Sequence, residues 1–457
     1  MIRLTGEQIL ALLNAEEPGW ARPAHEMPAW YADGVSTDSR SVRPGELFIP
    51  LTGERFDGHE YIGMALTAGA AGVLTARAEL PCAASIWVPD TRLALQKLAS
   101  AYRAQFSPTV IGLTGSVGKT TTKELTAAVF SAHCQTMKTN GNFNNDIGVP
   151  LTLLRLDPAD EAAVIEMGMS HLREIALLTR LARPDIAVIT NVGTSHIGNL
   201  GSQENICRAK LEILEGLADG GTVVLNGDDA FLNRAEIPAK FRVLKFAIEN
   251  EEADVRAENI REKEDGSEFS IVWNGKSYPA ALQLAGRHHI CNALAAFAAG
   301  IAGGVAPETA AAALVTVLPE GMRQRVTEKD GCTVIEDCYN ANPDSMRAAL
   351  KVLAGYKTRR RIALLGDMLE LGDFAASAHR EIGAEAVRSA DILLAVGTYA
   401  AEFAAGAREN GMDPNCIFTP ARANAAELLR EIRRSGDVIL VKASRGMRME
   451  EIAAAAF

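Results

Sequence analysis

The sequence predicts an α/β protein of three domains. These are a small N-terminal α/β module, a central domain with a P-loop-type, mostly parallel sheet, and a C-terminal Rossmann-like, doubly wound domain. Three observations lead there. The chain has 457 residues, and at ~100–200 residues per domain that makes about three. Short apolar runs alternate with helical periods, the βαβ rhythm of a parallel sheet. Glycine is frequent, at 39 residues, while aromatic residues make up only 5%. That balance suits many tight strand-to-helix turns better than a β-sandwich.

The first domain is expected over residues 1–106. Its strands read as Gly45–Leu51, Ala71–Ala76 and Ser85–Asp90, with a turn-rich stretch at Thr52–Ile62. A helix follows over 92–106, apolar at Leu93, Leu95, Leu98, Ala99 and Tyr102. Ser107-Pro108 then punctuates the chain. The second domain, 107–317, opens on the strand Thr109–Thr114 and continues through Ala162–Met167, Asp185–Val192 and Thr222–Asn226. A polar passage, Glu249–Ser277, carries an alternating Phe269–Trp273 run that reads as a small antiparallel excursion. An alanine-rich helical pair, Ala293–Gly303 and Pro307–Val317, closes the block. The third domain, 318–457, has strands at Thr333–Cys338, Arg361–Asp367, Asp391–Gly397 and Asp437–Ser444.

Composition removes several function classes. Lys and Arg total 46 against 57 Asp and Glu, a formal charge of -11, which argues against a nucleic-acid surface but leaves room for a nucleotide in a local pocket. Seven cysteines, Cys82, Cys134, Cys207, Cys291, Cys332, Cys338 and Cys416, stand singly with no CxxC pair. They read as reduced thiols, not a disulfide framework or a zinc site. The start, MIRLTGEQILALLNAEEPGW, is no signal peptide, and no run of about 20 apolar residues offers a membrane span. A soluble, cytoplasmic and monomeric protein is expected.

The strongest local signal is TVIGLTGSVGKTTTK, Thr109–Lys123. A strand runs into Gly115-Ser116-Val117-Gly118-Lys119-Thr120-Thr121, and a helical pattern follows at once. Glycines let backbone N–H groups turn toward phosphate oxygens. The new helix adds its positive end, Lys119 a point charge, and the Thr120 hydroxyl a ligand for Mg²⁺. The strict G-x-x-x-x-G-K-[ST] spacing is not met, since five residues separate Gly112 from Gly118. Strand, turn, Lys-Thr and helix nevertheless come in the order a nucleoside triphosphate site requires. Glu166 ends an apolar strand, where ligands of an open α/β sheet collect, and can hold Mg²⁺. His196 sits in a glycine-rich loop after another strand; by itself it reads equally as a structural hydrogen-bonder. No Asn-Lys-x-Asp segment is present, which disfavours a signalling GTPase.

These segments together resemble the Mur ligases, ATP-dependent enzymes of bacterial cell-wall precursor synthesis. The resemblance rests on TGSVGKTTTKE, KTNGNFNNDIGVPLTLL (Lys138–Leu154), EMG and NVGTSHIGNLGS, together with DSRSVRPGELFIPLTGERFDGH (Asp38–His59). Within the family, GNFNNDIGVPLTLL, EDCYNANPDSMRAAL (Glu336–Leu350) and LGDMLELG (Leu365–Gly372) are most similar to the member that joins D-alanyl-D-alanine to UDP-MurNAc-tripeptide. The resemblance implies an ATP loop at Gly115, Ser116, Val117, Gly118, Lys119, Thr120 and Thr121, and a Mg²⁺ shell at Thr120, Glu166 and His196. It also implies a CO₂-carbamylated lysine at Lys210, which unaided reads as a solvated helix lysine. Lys119, Glu166, His196 and Lys210 are the implied catalytic set. Asn292 would contact adenine, and Arg323, Asp337, Tyr339, Asn340 and Asn342 would face the nucleotide. Substrate contacts would fall on Ser36, Asp38, Ser39, Arg40, Asn142, Asn144, Asn145, Lys442, Ser444 and Arg445.

The implied reaction makes a peptide bond from a carboxylate, a poor electrophile. Transfer of the ATP γ-phosphoryl gives an acyl phosphate, and the amine then attacks, its proton passing to His196 or to water. Closure of the third domain is the implied means of excluding water. Two other readings stay open on the residues alone: a sibling ligase that adds one amino acid, or glutamate to folate, and a P-loop switch without ligase chemistry.

Overall fold

The computed structural model describes residues 1–24, 28–77, 84–319 and 321–457. Three main sheets carry the chain. The N-terminal sheet has five short strands, ordered Arg22–Pro23, Ser85–Trp87, Gly72–Thr75, Glu46–Phe48, Gly34–Ser36. All neighbours are parallel except the first pair. From this domain the helix Thr91–Arg103 leads into the central one, its start capped by Asp90, whose carboxylate accepts from Leu93 N at 2.9 Å.

The central sheet has nine strands, ordered Thr136–Lys138, Ala162–Glu166, Thr109–Thr114, Ile186–Ile189, Thr222–Asn226, Arg242–Ala247, Val255–Lys263, Gly266–Trp273, Lys276–Leu282. The first seven run parallel, and the last two form a meander, each antiparallel to the strand before it. The antiparallel excursion therefore exists and is larger than the Phe269–Trp273 run by itself predicts. Arg242–Ala247 and Thr136–Lys138 carry no sequence signal, because the first is interrupted by Arg242 and Lys245 and the second has only three residues. Thr109–Thr114, by contrast, is flanked by parallel strands on both sides, which explains its unbroken apolar run. The helices Lys119–Ser131 and Arg287–Ala302 cover one face through Leu125, Val129 and Phe130 against Ala293, Ala296 and Phe297.

The C-terminal sheet is ordered Arg325–Lys329, Cys332–Asp337, Val438–Lys442, Arg361–Gly366, Ile392–Val396, Ile417–Phe418. Its first two strands form a hairpin and the others are parallel. Helices bury apolar residues on both faces: Met346, Leu350 and Ile382 on one, Leu429 and Ile452 on the other. This is the doubly wound arrangement. Among the described residues no helix is long and apolar enough to cross a membrane. Cys134, Cys207, Cys291, Cys332, Cys338 and Cys416 are free thiols; Cys82 lies outside the described residues.

The N-terminal domain is tied to the central one through buried polar contacts. Tyr102, fully buried, donates its hydroxyl to Leu156 O at 2.7 Å and accepts from Ile2 N at 2.8 Å. Arg103 Nε donates to Ala182 O at 3.0 Å, and Arg92 pairs with Asp146 at 2.7 Å. Tyr102→Phe leaves the Leu156 carbonyl without its partner, and a loss of roughly 1–3 kcal/mol follows. The expected outcome is an earlier first transition in a thermal scan; an unshifted scan contradicts the tether.

Candidate functional site

The turn after Thr109–Thr114 meets the next strand's end. Val117 N donates to Asn191 Oδ1 at 3.0 Å, and Val117 O accepts from Thr190 Oγ1 at 2.7 Å and Asn191 Nδ2 at 3.0 Å. Ser116 N donates to Asn191 O at 3.1 Å, while Ser116 Oγ accepts from Gly193 N at 2.9 Å. Gly118 then begins the helix at φ +80°, where a Cβ would stand 2.4 Å from Asn292 Oδ1. With no side chain capping it, the first turn of Lys119–Ser131 presents its N–H groups to the space outside.

That space is a cleft of about 1240 Å³, lined from all three domains. The volume exceeds the ~300–1,000 Å³ usual for a single small ligand. Ser116 to Thr121, Asn142, Asn144, Asn145, Glu166, His196, Asn292, Arg323, Asp337, Tyr339, Asn340, Asn342 and Lys442 all line it. The N-terminal domain contributes Arg92.

Lys119 Nζ donates to Gly115 O at 2.7 Å and Ser116 O at 3.3 Å. Desolvation lowers its pKa, against the pull of Glu166. Glu166, 2% exposed, accepts through Oε1 from Asn144 Nδ2 at 2.8 Å and from Thr120 Oγ1 at 3.4 Å, while its buried Oε2 has no partner. His196 Nδ1 lies 2.8 Å from Glu370 Oε2 without hydrogen-bond alignment. Burial and then Lys119 lower the His196 pKa, so the ring is neutral at pH 7. Lys210 is 1% exposed on Gln203–Leu211 and does not line the cleft. Its pKa falls well below the lysine range through desolvation, with Lys119 adding to the effect.

On the third domain, Arg323 stacks over Tyr339 at 3.8 Å to the ring centroid. Lys442 Nζ pairs with Asp337 at 2.7 Å and donates to Asn340 O at 3.2 Å, so it also fixes the Asp337–Asn342 loop. Asn342 caps the helix Pro343–Ala354 and donates to Ser195 of the central domain.

Other expected site residues stand elsewhere. Ser444 donates to Ala341 O at 3.3 Å and accepts from Leu369 N at 3.0 Å, a loop brace. Arg445 pairs with Glu450. Ser36, Asp38, Ser39 and Arg40 form one turn on the N-terminal domain and do not line the cleft. There Arg40 holds the Asp38 pKa down at about 2. Asn145, which does line the cleft, also accepts through Oδ1 from Gly148 N at 2.8 Å, opening the helix Gly148–Leu153. Sequence reasoning missed Thr190, Asn191, Gln324, Asp344 and Glu370. A signal existed for Asn191 alone, a polar residue at the mouth of a buried strand.

The donors suit a metal-bound triphosphate. Among the described residues no three His, Cys, Asp or Glu side chains gather as a metal cage. Mg²⁺ instead takes one or two protein oxygens and completes its shell with phosphate and water. Thr120 Oγ1 with the orphaned, buried Glu166 Oε2 meets that demand.

Comparison with known proteins agrees across all three domains. Residues 32–103 match the Mur ligase family catalytic domain, 113–300 the Mur ligase middle domain, and 322–445 the Mur ligase glutamate ligase domain. The chain is 42% identical to the UDP-N-acetylmuramoyl-tripeptide–D-alanyl-D-alanine ligase of Bacillus subtilis, covering 99% of this chain and 98% of the relative. The crystal structure of MurF from Acinetobacter baumannii superposes with a TM-score of 0.88 at 32% identity, covering 98% of each chain. MurF ligase from Thermotoga maritima, solved in complex with ADP, gives 0.81 at 28%, covering 93% of this chain and 96% of that one.

Gly118→Ala adds a methyl group where the backbone is left-handed and Asn292 is in contact. Affinity for a fluorescent ATP analogue is expected to fall by more than tenfold with the far-UV spectrum unchanged. Wild-type affinity in this variant contradicts the cradle.

Proposed function

The chain belongs to the Mur ligase family, and from that premise we propose that it joins D-alanyl-D-alanine to UDP-N-acetylmuramoyl-tripeptide. ATP is cleaved to ADP and phosphate in peptidoglycan precursor synthesis. The observation that carries this reading is the single cleft in which the phosphate turn, Glu166 and polar loops of the third domain face one another. A P-loop switch needs no such second wall.

The chain's own residues do three things. Backbone N–H groups after Gly118, with Lys119, hold the terminal phosphates, and the partly dry surroundings strengthen that hold. Thr120 and Glu166 would hold Mg²⁺, which when bound neutralises phosphate charge and polarises the transferred group. The wall formed by Arg323, Tyr339 and the Asp337–Asn342 loop faces the nucleotide, and closure of the third domain brings the amine substrate to the activated carboxylate and keeps water away. A carboxylate oxygen of the tripeptide attacks the γ-phosphorus of ATP and ADP leaves. The D-alanyl-D-alanine nitrogen then bonds to the carbonyl carbon of the acyl phosphate, phosphate leaves, and the amine proton passes to His196 or to water.

Lys210 serves as the carbamylated residue. Its burial lowers the amine's pKa well below the lysine range, which raises the share of the neutral, nucleophilic form. The lone pair attacks the carbon of CO₂, one proton departs to solvent, and an anionic carbamate results. That anion would remove a buried cation's repulsion toward Lys119, and its oxygen would be able to hold a second Mg²⁺. Because lowering pH protonates the amine, carbamate is lost as pH falls through the depressed pKa. The reaction is read as running in the cytoplasm on a monomer.

Two measurements test this. Phosphate release with UDP-MurNAc-tripeptide is expected to need D-alanyl-D-alanine and not free amino acids or glutamate, and Lys119→Ala is expected to abolish it with the fold intact. Equal stimulation by a single amino acid would assign the chain to a sibling ligase. In ¹³C-bicarbonate, a carbamate resonance near Lys210 is expected in the wild type. Its absence from the wild type, or its persistence in Lys210→Ala, removes the carbamate.

A further inference from the structure

One acidic side chain bridges the two catalytic walls without touching the phosphate turn. Asp344 stands in the first turn of Pro343–Ala354, on the third domain. Its Oδ2 accepts from Thr194 N at 3.0 Å and lies 3.3 Å from Thr194 Oγ1, both on the central domain. Arg347, one turn along the same helix, lies 3.6 Å from Oδ1. A helix N-terminus favours a carboxylate at this position, so the acceptor is held ready on its own domain. Across the gap, Gly193 leaves the space: a Cβ there would stand 2.2 Å from Asp344 Oδ2.

The loop that Asp344 grips is the loop that grips the phosphate turn. Gly193 N donates to Ser116 Oγ at 2.9 Å, and Ser195 Oγ donates to Ser116 O at 3.3 Å. Asn342, which begins the same helix, donates to that Ser195 hydroxyl. A second touch lies nearby, where Gly198 meets Glu370 and Gly372 so closely that a Cβ would stand 2.9 Å from Glu370 O. Residues 193–198 are thus one strip of central-domain backbone, facing the phosphate turn on one side and the third domain on the other.

We propose that Asp344 is a positioning residue, a latch that docks the third domain on the Gly193–Ser195 loop and so couples closure of the cleft to the phosphate turn. The inference rests on the ligase reading above. A docked third domain presents the amine and excludes water. When it is undocked, water attacks the acyl phosphate in place of the amine: the water oxygen bonds to the carbonyl carbon, phosphate leaves, and the starting carboxylate returns. ATP is then consumed without peptide-bond formation. Asp344 serves as acceptor to a neutral N–H and hydroxyl, so an amide oxygen of the same reach replaces it.

The test compares wild type, Asp344→Ala and Asp344→Asn as full chains with ATP, UDP-MurNAc-tripeptide and D-alanyl-D-alanine. Phosphate released per peptide bond formed is expected near one for the wild type and for Asp344→Asn, and at least threefold higher for Asp344→Ala. The KM for D-alanyl-D-alanine is expected to rise at least tenfold in Asp344→Ala, with binding of the ATP analogue within threefold of wild type. Hydrogen exchange of the Thr194 amide in the presence of ATP is expected to be at least tenfold faster in Asp344→Ala, a readout that needs no turnover. Wild-type coupling, KM and exchange in Asp344→Ala overturn the latch, as does an Asp344→Asn variant as impaired as Asp344→Ala. A wild-type chain that releases no phosphate with both substrates would instead overturn the ligase reading, while the exchange comparison still judges the latch.

Discussion

The phosphate turn depends on bonds it receives from the neighbouring strand. Val117 spends both its N–H and its carbonyl on Thr190 and Asn191. Backbone polar groups in a buried turn must find partners, and here those partners lie in the adjacent parallel strand's end. The N–H groups that follow, at the start of Lys119–Ser131, are left for an anion. Had the turn closed on itself, it would have satisfied those groups internally and presented no site. The sheet's order, with Thr109–Thr114 directly beside Ile186–Ile189, is therefore what makes the glycine turn a receptor.

The charge arrangement follows from this placement. Lys119, Lys210 and His196 occupy one poorly solvated region, and each has its pKa lowered by burial, with Lys119 further lowering those of Lys210 and His196. Without an anion, such an arrangement is costly. A triphosphate supplies the missing negative charge, and a carbamate on Lys210 would remove one of the positive charges. Glu166, with an unpartnered buried oxygen, is the complementary case, an acceptor awaiting a cation. The region is thus arranged for a bound metal–phosphate pair.

The two outer domains are attached differently. The N-terminal domain is anchored by the buried Tyr102 hydroxyl and by Arg103, which reach carbonyls deep in the central domain. The third domain meets the catalytic wall through side-chain contacts at Thr194 and Ser195, while its Tyr356 hydroxyl donates to Glu264 O at 3.3 Å. Polar, modest interfaces of that kind suit relative domain motion. A ligase that must admit two substrates and then exclude water needs one fixed and one movable wall.

Local pattern determined much of this in advance. The apolar runs at Thr109–Thr114, Ala162–Glu166 and Thr222–Asn226 are strands because they are buried on both faces, and burial of that kind leaves a continuous apolar signature. Lys119, Thr120 and Glu166 were legible because each lies at a strand end or in a glycine turn, where chemistry and backbone coincide. Lys210 was legible only as a family resemblance, since nothing in ENICRAKLEILEGL distinguishes a fully buried lysine from a solvated one. Strands such as Arg242–Ala247 were silent because charged residues interrupt them. Asp344 and Glu370 were set by tertiary structure alone, and Asn191, though visible as a polar residue at a strand mouth, took its partner from the fold. Their roles come from partners 150, 174 and 74 positions away, Asp344 with Thr194, Glu370 with His196 and Asn191 with Val117, and no short-range pattern encodes which strand ends the fold brings together.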